Sequence, residues 1–150
     1  MPMTPARSAI DVGILVSDIG ASLAFYQEIL GLEKVEEIDV WFGRFHRLRF
    51  GESFVKLVEP AKPAAPNQPR IEDQTGLRYL TFPVRNIDEI CSACKDAGVP
   101  FERAKLELRP GVFIAMVKDP DGTIVEFVEL RSPISNASLP SIQLDRNLPS

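Results

Sequence analysis

The chain has little of what metal sites, nucleic-acid binding and membrane insertion require. It contains 1 histidine and 2 cysteines among 150 residues, whereas transition-metal sites usually draw on three or four protein donors and favour imidazole. Its formal net charge of −4 gives no general attraction for nucleic acid. No apolar run approaches the roughly 20 residues of a membrane helix, and residues 1–10 lack the apolar core of a signal peptide. We therefore expect a cytoplasmic protein with neither nucleic acid nor a membrane as partner.

The two cysteines lie in a segment with a helical pattern. Cys91 and Cys94 are spaced C-x-x-C, a spacing found in redox sites and in half of a zinc site. Ile87, Ile90 and Ala97 fall on the same stripe of the predicted helix as the two cysteines, and the sequence has no second cysteine pair to complete a zinc site. We expect both thiols to be buried structural groups.

What the sequence does contain is an internal repeat. Residues 54–59 read FVKLVE and residues 124–129 read IVEFVE, an offset of 70 (124 − 54). Residues 11–19 (DVGILVSDI) likewise resemble residues 79–87 (YLTFPVRNI), at an offset of 68 (79 − 11). Two segments repeated in the same order predict a duplicated module. Such a module tends to place its ligand at the junction of its halves.

Each half of the repeat has the pattern β-α-β-β-β. Residues 10–17 alternate in the way typical of a strand, and Asp18 and Gly31 bracket the helix that follows. A second helix is predicted between Asn86, its N-cap, and Gly98. The remaining strands are predicted at 34–41, 44–50 and 53–58 in the first half, and at 78–84, 99–105, 112–118 and 123–129 in the second.

The length of the chain suits one compact domain. We assign the domain to residues 9–130, with a proline-rich linker at 61–76. The linker separates module one (9–60) from module two (77–130). Residues 1–8 are predicted as an N-terminal extension, and residues 131–150 as a C-terminal tail.

Four side chains project from matching positions of the repeat. If the apolar residues of each strand face the helices, alternation directs their neighbours to the opposite face. On this reasoning Asp11 matches Tyr79, and Lys56 matches Glu126. We predict that the four side chains converge on one pocket, whose shape depends on the loops at 41–44, 60–76 and 104–112.

These residues lie in motifs that resemble those of the vicinal oxygen chelate superfamily, which includes glyoxalases, extradiol dioxygenases, epimerases and the bleomycin- and fosfomycin-resistance proteins. The resemblance covers residues 9–130 and rests on V-x-D-x-x-x-S-x-x-F-Y in the first half and D-P-D-G-x-x-x-E in the second. It implies an α+β fold in which two βαβββ modules form an open U-shaped half-barrel around a cavity. It also implies a small-molecule ligand and a homodimer.

Metal-dependent members of that superfamily place their ligands at positions that match Asp11, Lys56, Tyr79 and Glu126. Only Glu126 is a usual ligand there. Asp11 could coordinate a divalent ion, whereas a protonated Lys56 cannot bind a cation and repels it. This departure favours a site with no cofactor, the alternative being one divalent metal ion.

Three functions remain open, and the sequence favours the first, a small-molecule enzyme. The first is a metal-free isomerase, lyase or hydrolase, in which Lys56 stabilises an oxyanion, Glu126 or Asp11 acts as general base and Tyr79 donates a proton. The second is a non-catalytic binding and resistance protein that sequesters a drug or toxin. The third is a divalent-metal lyase or dioxygenase that uses Asp11, Glu126 and His46 as ligands.

Several other side chains are candidates for ligand contact. Trp41 and Phe42 precede a predicted turn and could close over an aromatic ligand. Arg47 belongs to a basic segment that could favour an anionic substrate. The sole histidine, His46, shares its parity with the apolar Leu48 and is expected at the edge of the core or on the surface.

Overall fold

The structure of the protein is a computed structural model that describes residues 1–131, and it contains both predicted βαβββ modules. Module one consists of β1 (Val12–Leu15), α1 (Ile19–Leu23), a π-helical segment (Ala24–Ile29), β2 (Glu33–Val40), β3 (Gly43–Phe50) and β4 (Ser53–Pro60). Module two consists of β5 (Tyr79–Pro83), α2 (Ile87–Asp96), β6 (Phe101–Arg109), β7 (Val112–Lys118) and β8 (Ile124–Leu130). The tail predicted at 131–150 lies outside the described residues, apart from Arg131. No helix within residues 1–131 has the length and apolar content that crossing a bilayer would require.

Each module forms its own mixed four-stranded sheet, in the order β1-β4-β3-β2 and β5-β8-β7-β6. The first and last strands of each module pair in parallel, and the other pairs are antiparallel. The register places Gly13 opposite Lys56 in the first sheet and Thr81 opposite Glu126 in the second. Because β1 and β5 each lie at one end of the strand order, they are edge strands.

The first helix begins as predicted and then departs from α-helical geometry. The Asp18 carboxylate accepts a hydrogen bond from the Ala21 N–H at 3.1 Å and so caps α1. Beyond Leu23 the chain widens into the π-helical segment, in which the Leu30 N–H donates to the Phe25 carbonyl five residues earlier. The predicted helix between Asp18 and Gly31 is therefore present, but its second half is π-helical.

The second helix begins after Asn86, but the predicted cap is wrong. The Ile87 N–H donates to the Glu129 carboxylate of β8 at 2.8 Å, and the Asn86 side-chain amide donates to Glu89 instead. A carboxylate is a strong acceptor for the amides at a helix N-terminus. Here β8 supplies that carboxylate from a distant part of the sequence.

The loop predicted at 104–112 is also wrong in extent. Strand β6 continues to Arg109, because Leu106 pairs with Ile114 and Arg109 pairs with Val112. Three shifts in the β6–β7 register disturb the alternation on which the prediction relied. Only a tight turn then joins β6 to β7.

One hydrophobic core contains residues of both modules. As predicted, Leu57 and Val125 are buried, while their neighbours Lys56 and Glu126 are half-buried. Cys91 and Cys94 belong to the core as free thiols, which confirms the structural role expected of them.

Two aspartates of the β7–β8 turn tie the modules together. The hydroxyl of the fully buried Tyr26 donates to the Asp119 carboxylate at 2.7 Å. The Asp121 carboxylate accepts hydrogen bonds from the N–H and the hydroxyl of Ser17, at the end of β1. The turn of module two is thereby fixed against the first strand and first helix of module one.

Candidate functional site

A cleft of about 1050 Å³ lies where the two modules meet. Its walls are the edge strand β1 together with the start of β5, and its remaining sides are formed by the linker and the β7–β8 turn. The lining residues lie mainly at 12–17, 63–68, 77–80 and 120–123. The repeat predicted a ligand site at this junction, and the linker borders it as expected.

The linker owes its position beside the cleft to Arg78. The Arg78 guanidinium donates to the carbonyl oxygens of Ile71 at 2.9 Å, Arg70 at 2.7 Å and Gln68 at 3.3 Å. It also donates to the Asn67 side chain at 3.2 Å. One planar group thus holds four acceptors spread along the linker. Sequence reasoning missed Arg78 because its partners are backbone carbonyls, which leave no side-chain pattern to read.

Few charges line the cleft. Of the charged residues around it, Arg78 is occupied by the linker and Asp121 by Ser17. Glu59 retains a half-exposed carboxylate. The other lining residues are apolar or neutral, and Leu77 and Tyr79 are among them. The cleft is therefore suited to a neutral or cationic organic molecule.

His46 lies behind Glu59 and is buried, at the edge of the core as expected. Its Nε2 atom is 3.3 Å from Oε1 of Glu59, and its Nδ1 atom is 3.9 Å from Oε1 of Glu37. Nδ1 of His46 is buried without a hydrogen-bond partner, and His46 is not among the residues that line the cleft.

Two of the four predicted catalytic residues, Tyr79 and Asp11, lie in different surroundings. Tyr79 is half-exposed and lines the cleft. Asp11 accepts a hydrogen bond from the Phe54 N–H at 2.9 Å and pairs with Arg7. The hydrogen bond from Arg7 lowers the pKa of Asp11; that from Phe54 and the charge of Lys56 act in the same direction, and burial opposes them.

Lys56 and Glu126 lie at matching points of the two sheets. The Lys56 ammonium is 5.4 Å from the centre of the Phe45 ring, while a Glu126 carboxylate oxygen accepts a hydrogen bond from the Thr81 hydroxyl at 2.8 Å. Asp11 and Lys56 thus interact electrostatically in module one, and Glu126 interacts with Thr81 in module two. Convergence of all four on one pocket stays a prediction. Sequence reasoning missed Thr81, although its place opposite Glu126 follows from the parallel register of the repeat.

Trp41, Phe42 and Arg47 lie on module one, outside the residues that line the cleft. Trp41 is 91% exposed and packs edge-on against Phe42, with ring centres 4.6 Å apart. Arg47 pairs with Glu36, and its guanidinium carbon is 4.0 Å from the centre of the Phe54 ring. Ligand contact by these residues stays a prediction.

Comparison with known proteins places the chain in a family. Residues 10–127 match the sequence profile of the Glyoxalase/Bleomycin resistance protein/Dioxygenase superfamily. The chain belongs to this superfamily. The predicted resemblance to the vicinal oxygen chelate proteins is thereby confirmed, and so is the predicted α+β fold of two βαβββ modules.

Relatives in the superfamily differ in function. The uncharacterized protein YaeR of Escherichia coli (strain K12) is 28% identical over 124 residues, which cover 79% of this chain and 92% of YaeR. TnmS3, an antibiotic binding protein from Streptomyces sp. CB03234, has a TM-score of 0.66 at 21% identity, covering 85% of this chain and 99% of its own. A lactoylglutathione lyase from Agrobacterium tumefaciens has a TM-score of 0.60 at 22% identity, covering 84% and 96%. At these identities the two solved structures show the fold alone.

The donor set of this superfamily member does not fit the divalent metal ion that the sequence resemblance offered as an alternative. Within residues 1–131, no group of three or more His, Cys, Asp or Glu side chains is close enough to hold a metal ion. Asp11 is occupied by Arg7, and His46 contacts Glu59. At the matching position of β4, Lys56 places an ammonium where a ligand would be needed.

Proposed function

We propose that this superfamily member binds a small organic molecule in the cleft between its modules, without a resident metal. The observation that carries the proposal is the cleft itself, whose volume of about 1050 Å³ lies just above the roughly 300–1,000 Å³ typical of ligand pockets. Among the described residues that line it, Tyr79 is the one member of the predicted catalytic quartet. That composition supports binding ahead of catalysis.

The chemistry of the walls supports a neutral or cationic ligand with an apolar body. Leu77, Leu80 and the prolines of the linker offer apolar contact, and the Tyr79 hydroxyl offers one polar anchor. Glu59 adds a negative charge at the rim. Sequestration of a drug or toxin is the activity that best suits such a site.

The proposal is tested with a panel of aromatic antibiotics and small carbonyl compounds, scored by the rise in melting temperature. An added Cβ at Gly13 would meet no atom within 4 Å, so Gly13→Phe should fold and fill the cleft. We expect this variant to lose the binding of every stabilising compound by about ten-fold or more. Val35→Phe, on exposed β2 away from the cleft, is the matched control. A binding protein returns the compound chemically unchanged, as mass spectrometry would show.

The second candidate is a metal-free acid–base enzyme that acts on a small carbonyl compound. The observation that favours it is the Thr81–Glu126 hydrogen bond, which fixes a half-buried carboxylate on the strand face. The hydrogen bond from Arg7 lowers the pKa of Asp11 and makes it a weaker base, so Glu126 is the residue we assign as the base. Lys56 would stabilise the oxyanion that forms when a proton leaves the carbon next to the carbonyl, and Tyr79 would return a proton.

Under this second candidate Glu126→Gln should lower turnover by about 10²–10⁴-fold, the usual contribution of a general base, while ligand affinity changes little. Glu33→Gln, an exposed carboxylate of β2, is the control and should be fully active. If any compound of the panel is converted equally fast by both variants, Glu126 is not the base.

We also propose a homodimer, since the fold leaves the edge strands β2 and β6, away from the cleft, and apolar surface that a second copy could cover. Light scattering of the full chain tests this directly, and a monomer at working concentrations would refute it.

A further inference from the structure

The cleft is bounded by the open edges of two strands. β1 pairs with β4 on one side and β5 pairs with β8 on one side. Within residues 1–131, no backbone hydrogen bond joins β1 to β5. Both strands nevertheless line the same cleft. An exposed strand edge carries unpaired N–H and C=O groups that can pair with another extended chain.

The hydrogen bonds of β1 show which of its groups face the cleft. The Val16 N–H donates to the Val58 carbonyl of β4 at 3.0 Å, and successive residues of a strand direct their backbone groups to alternate edges. Gly13 and Leu15 therefore direct their N–H and C=O groups away from β4. The next residue of this set, Ser17, donates its N–H to the Asp121 carboxylate at 3.1 Å. An acceptor from module two thus already binds this edge.

The hydrogen bonds of β5 likewise show which of its backbone groups point away from β8. The Val84 N–H donates to the Val128 carbonyl at 2.8 Å, so Tyr79 and Thr81 direct their backbone groups away from β8. Pro83, at the far end of this edge, has no N–H to offer. Pairing on β5 is therefore confined to its first residues, of which Tyr79 lines the cleft.

Gly13 makes close approach to the β1 edge easy. It lies in the interior of a strand, where glycine weakens pairing and often marks a place at which a ligand or another backbone comes near. No atom lies within 4 Å of the position that its Cβ would occupy, and Leu15 beside it is half-exposed. The backbone of β1 is therefore accessible from the cleft.

From these observations we infer that the ligand of the cleft is a short peptide in an extended conformation. Its amide groups pair with Gly13 and Leu15 on one side and with Tyr79 on the other, as an added strand. The two edges together offer room for about two or three amide units, given a rise of roughly 3.3 Å per residue. This inference rests on the proposed function, because it names the ligand class of the same cleft.

The test uses acetyl-trialanine N-methylamide as probe, with an analogue that is N-methylated at every peptide nitrogen. Titration into ¹⁵N-labelled full-length protein should shift the amide signals of Gly13 and Leu15 saturably and slow their hydrogen exchange. The N-methylated analogue should bind about ten-fold or more weakly, since it lacks the donors that strand pairing requires. Equal binding of the two peptides, or saturable binding without a change at either amide, would overturn the inference.

A pair of variants at Leu15 tests whether the N–H groups on the open edge of β1 bind the probe. Leu15→Pro removes an outward N–H and leaves the β1–β4 ladder intact, while Leu15→Ala keeps the N–H. The trialanine probe should bind about ten-fold more weakly to the proline variant than to the alanine variant. If panel compounds bind the wild type and are excluded by Gly13→Phe but the trialanine probe does not bind, the inference fails and the proposed function stands. If neither the panel nor the probe binds, both fail.

Discussion

Replacing Arg78 with alanine should release the linker while leaving the core of the protein folded. Arg78 makes hydrogen bonds to three linker carbonyls and one side-chain amide oxygen. None of these partners belongs to the hydrophobic core. Loss of these hydrogen bonds should therefore favour local opening of residues 61–76, which form a wall of the cleft. It should change the free energy of global unfolding only slightly.

The size of the effect follows from the hydrogen bonds. A typical net contribution is about 0.5–1.5 kcal/mol per bond, but three of the four bonds are on the exposed side of the group, so we expect about 2 kcal/mol in total. That value corresponds to roughly a 30-fold increase in the open population of the linker. Limited trypsin digestion reports on it directly, because the Arg70–Ile71 bond lies in the linker, whereas Lys62 precedes Pro63 and is resistant to trypsin.

Arg78→Ala should accordingly raise the rate of cleavage after Arg70 about 30-fold under conditions where opening is in rapid equilibrium, and should weaken ligand binding in the cleft. Arg85→Ala, an exposed arginine just beyond β5, is the matched control and should be cleaved like the wild type. Cleavage of Arg78→Ala at the wild-type rate would refute the role assigned to Arg78.

Two further predictions concern the junction and the core. Tyr26→Phe should lower the free energy of unfolding by about 1.5–3 kcal/mol near neutral pH, because the buried Asp119 carboxylate loses a donor. Burial raises the pKa of Asp119, and the hydrogen bond from Tyr26 opposes that rise, so the pKa of Asp119 should be higher still in the variant. The loss of unfolding free energy should therefore shrink as the pH falls and Asp119 becomes protonated. Denaturant titrations at two pH values would show this. Burial also raises the pKa of Cys94 to about 11. Iodoacetamide should therefore leave the native protein unmodified at mildly alkaline pH and alkylate both thiols after denaturation. Rapid labelling of the native protein, seen by mass spectrometry, would contradict the buried position.

The repeat and its alternation predicted most of the fold. The repeat matched Lys56 with Glu126, and the parallel pairing of the first and last strands places these two residues at equivalent registers, opposite Gly13 and Thr81. The same alternation predicted that Leu57 and Val125 are buried, as the structure shows. Periodicity could succeed here because it depends only on which face of a strand is apolar.

Features set by distant contacts could not be predicted in this way. The N-terminus of α2 is capped by Glu129, 42 residues away along the chain, and the linker is held by Arg78 through backbone carbonyls. The residues that line the cleft depend on where the two edge strands meet, which no local pattern encodes. Side-chain parity therefore identified Tyr79, Lys56 and Glu126 as residues related by the repeat. Of these three, Tyr79 alone is among the described residues that line the cleft.

A crystal structure of the protein bound to the panel compound that raises its melting temperature most would show directly where the ligand binds. We expect density for that compound between β1 and β5, in contact with Gly13 and Tyr79 and covered by the linker. Density on the Arg47–Phe54 face of module one, with an empty space between the two edge strands, would contradict this expectation.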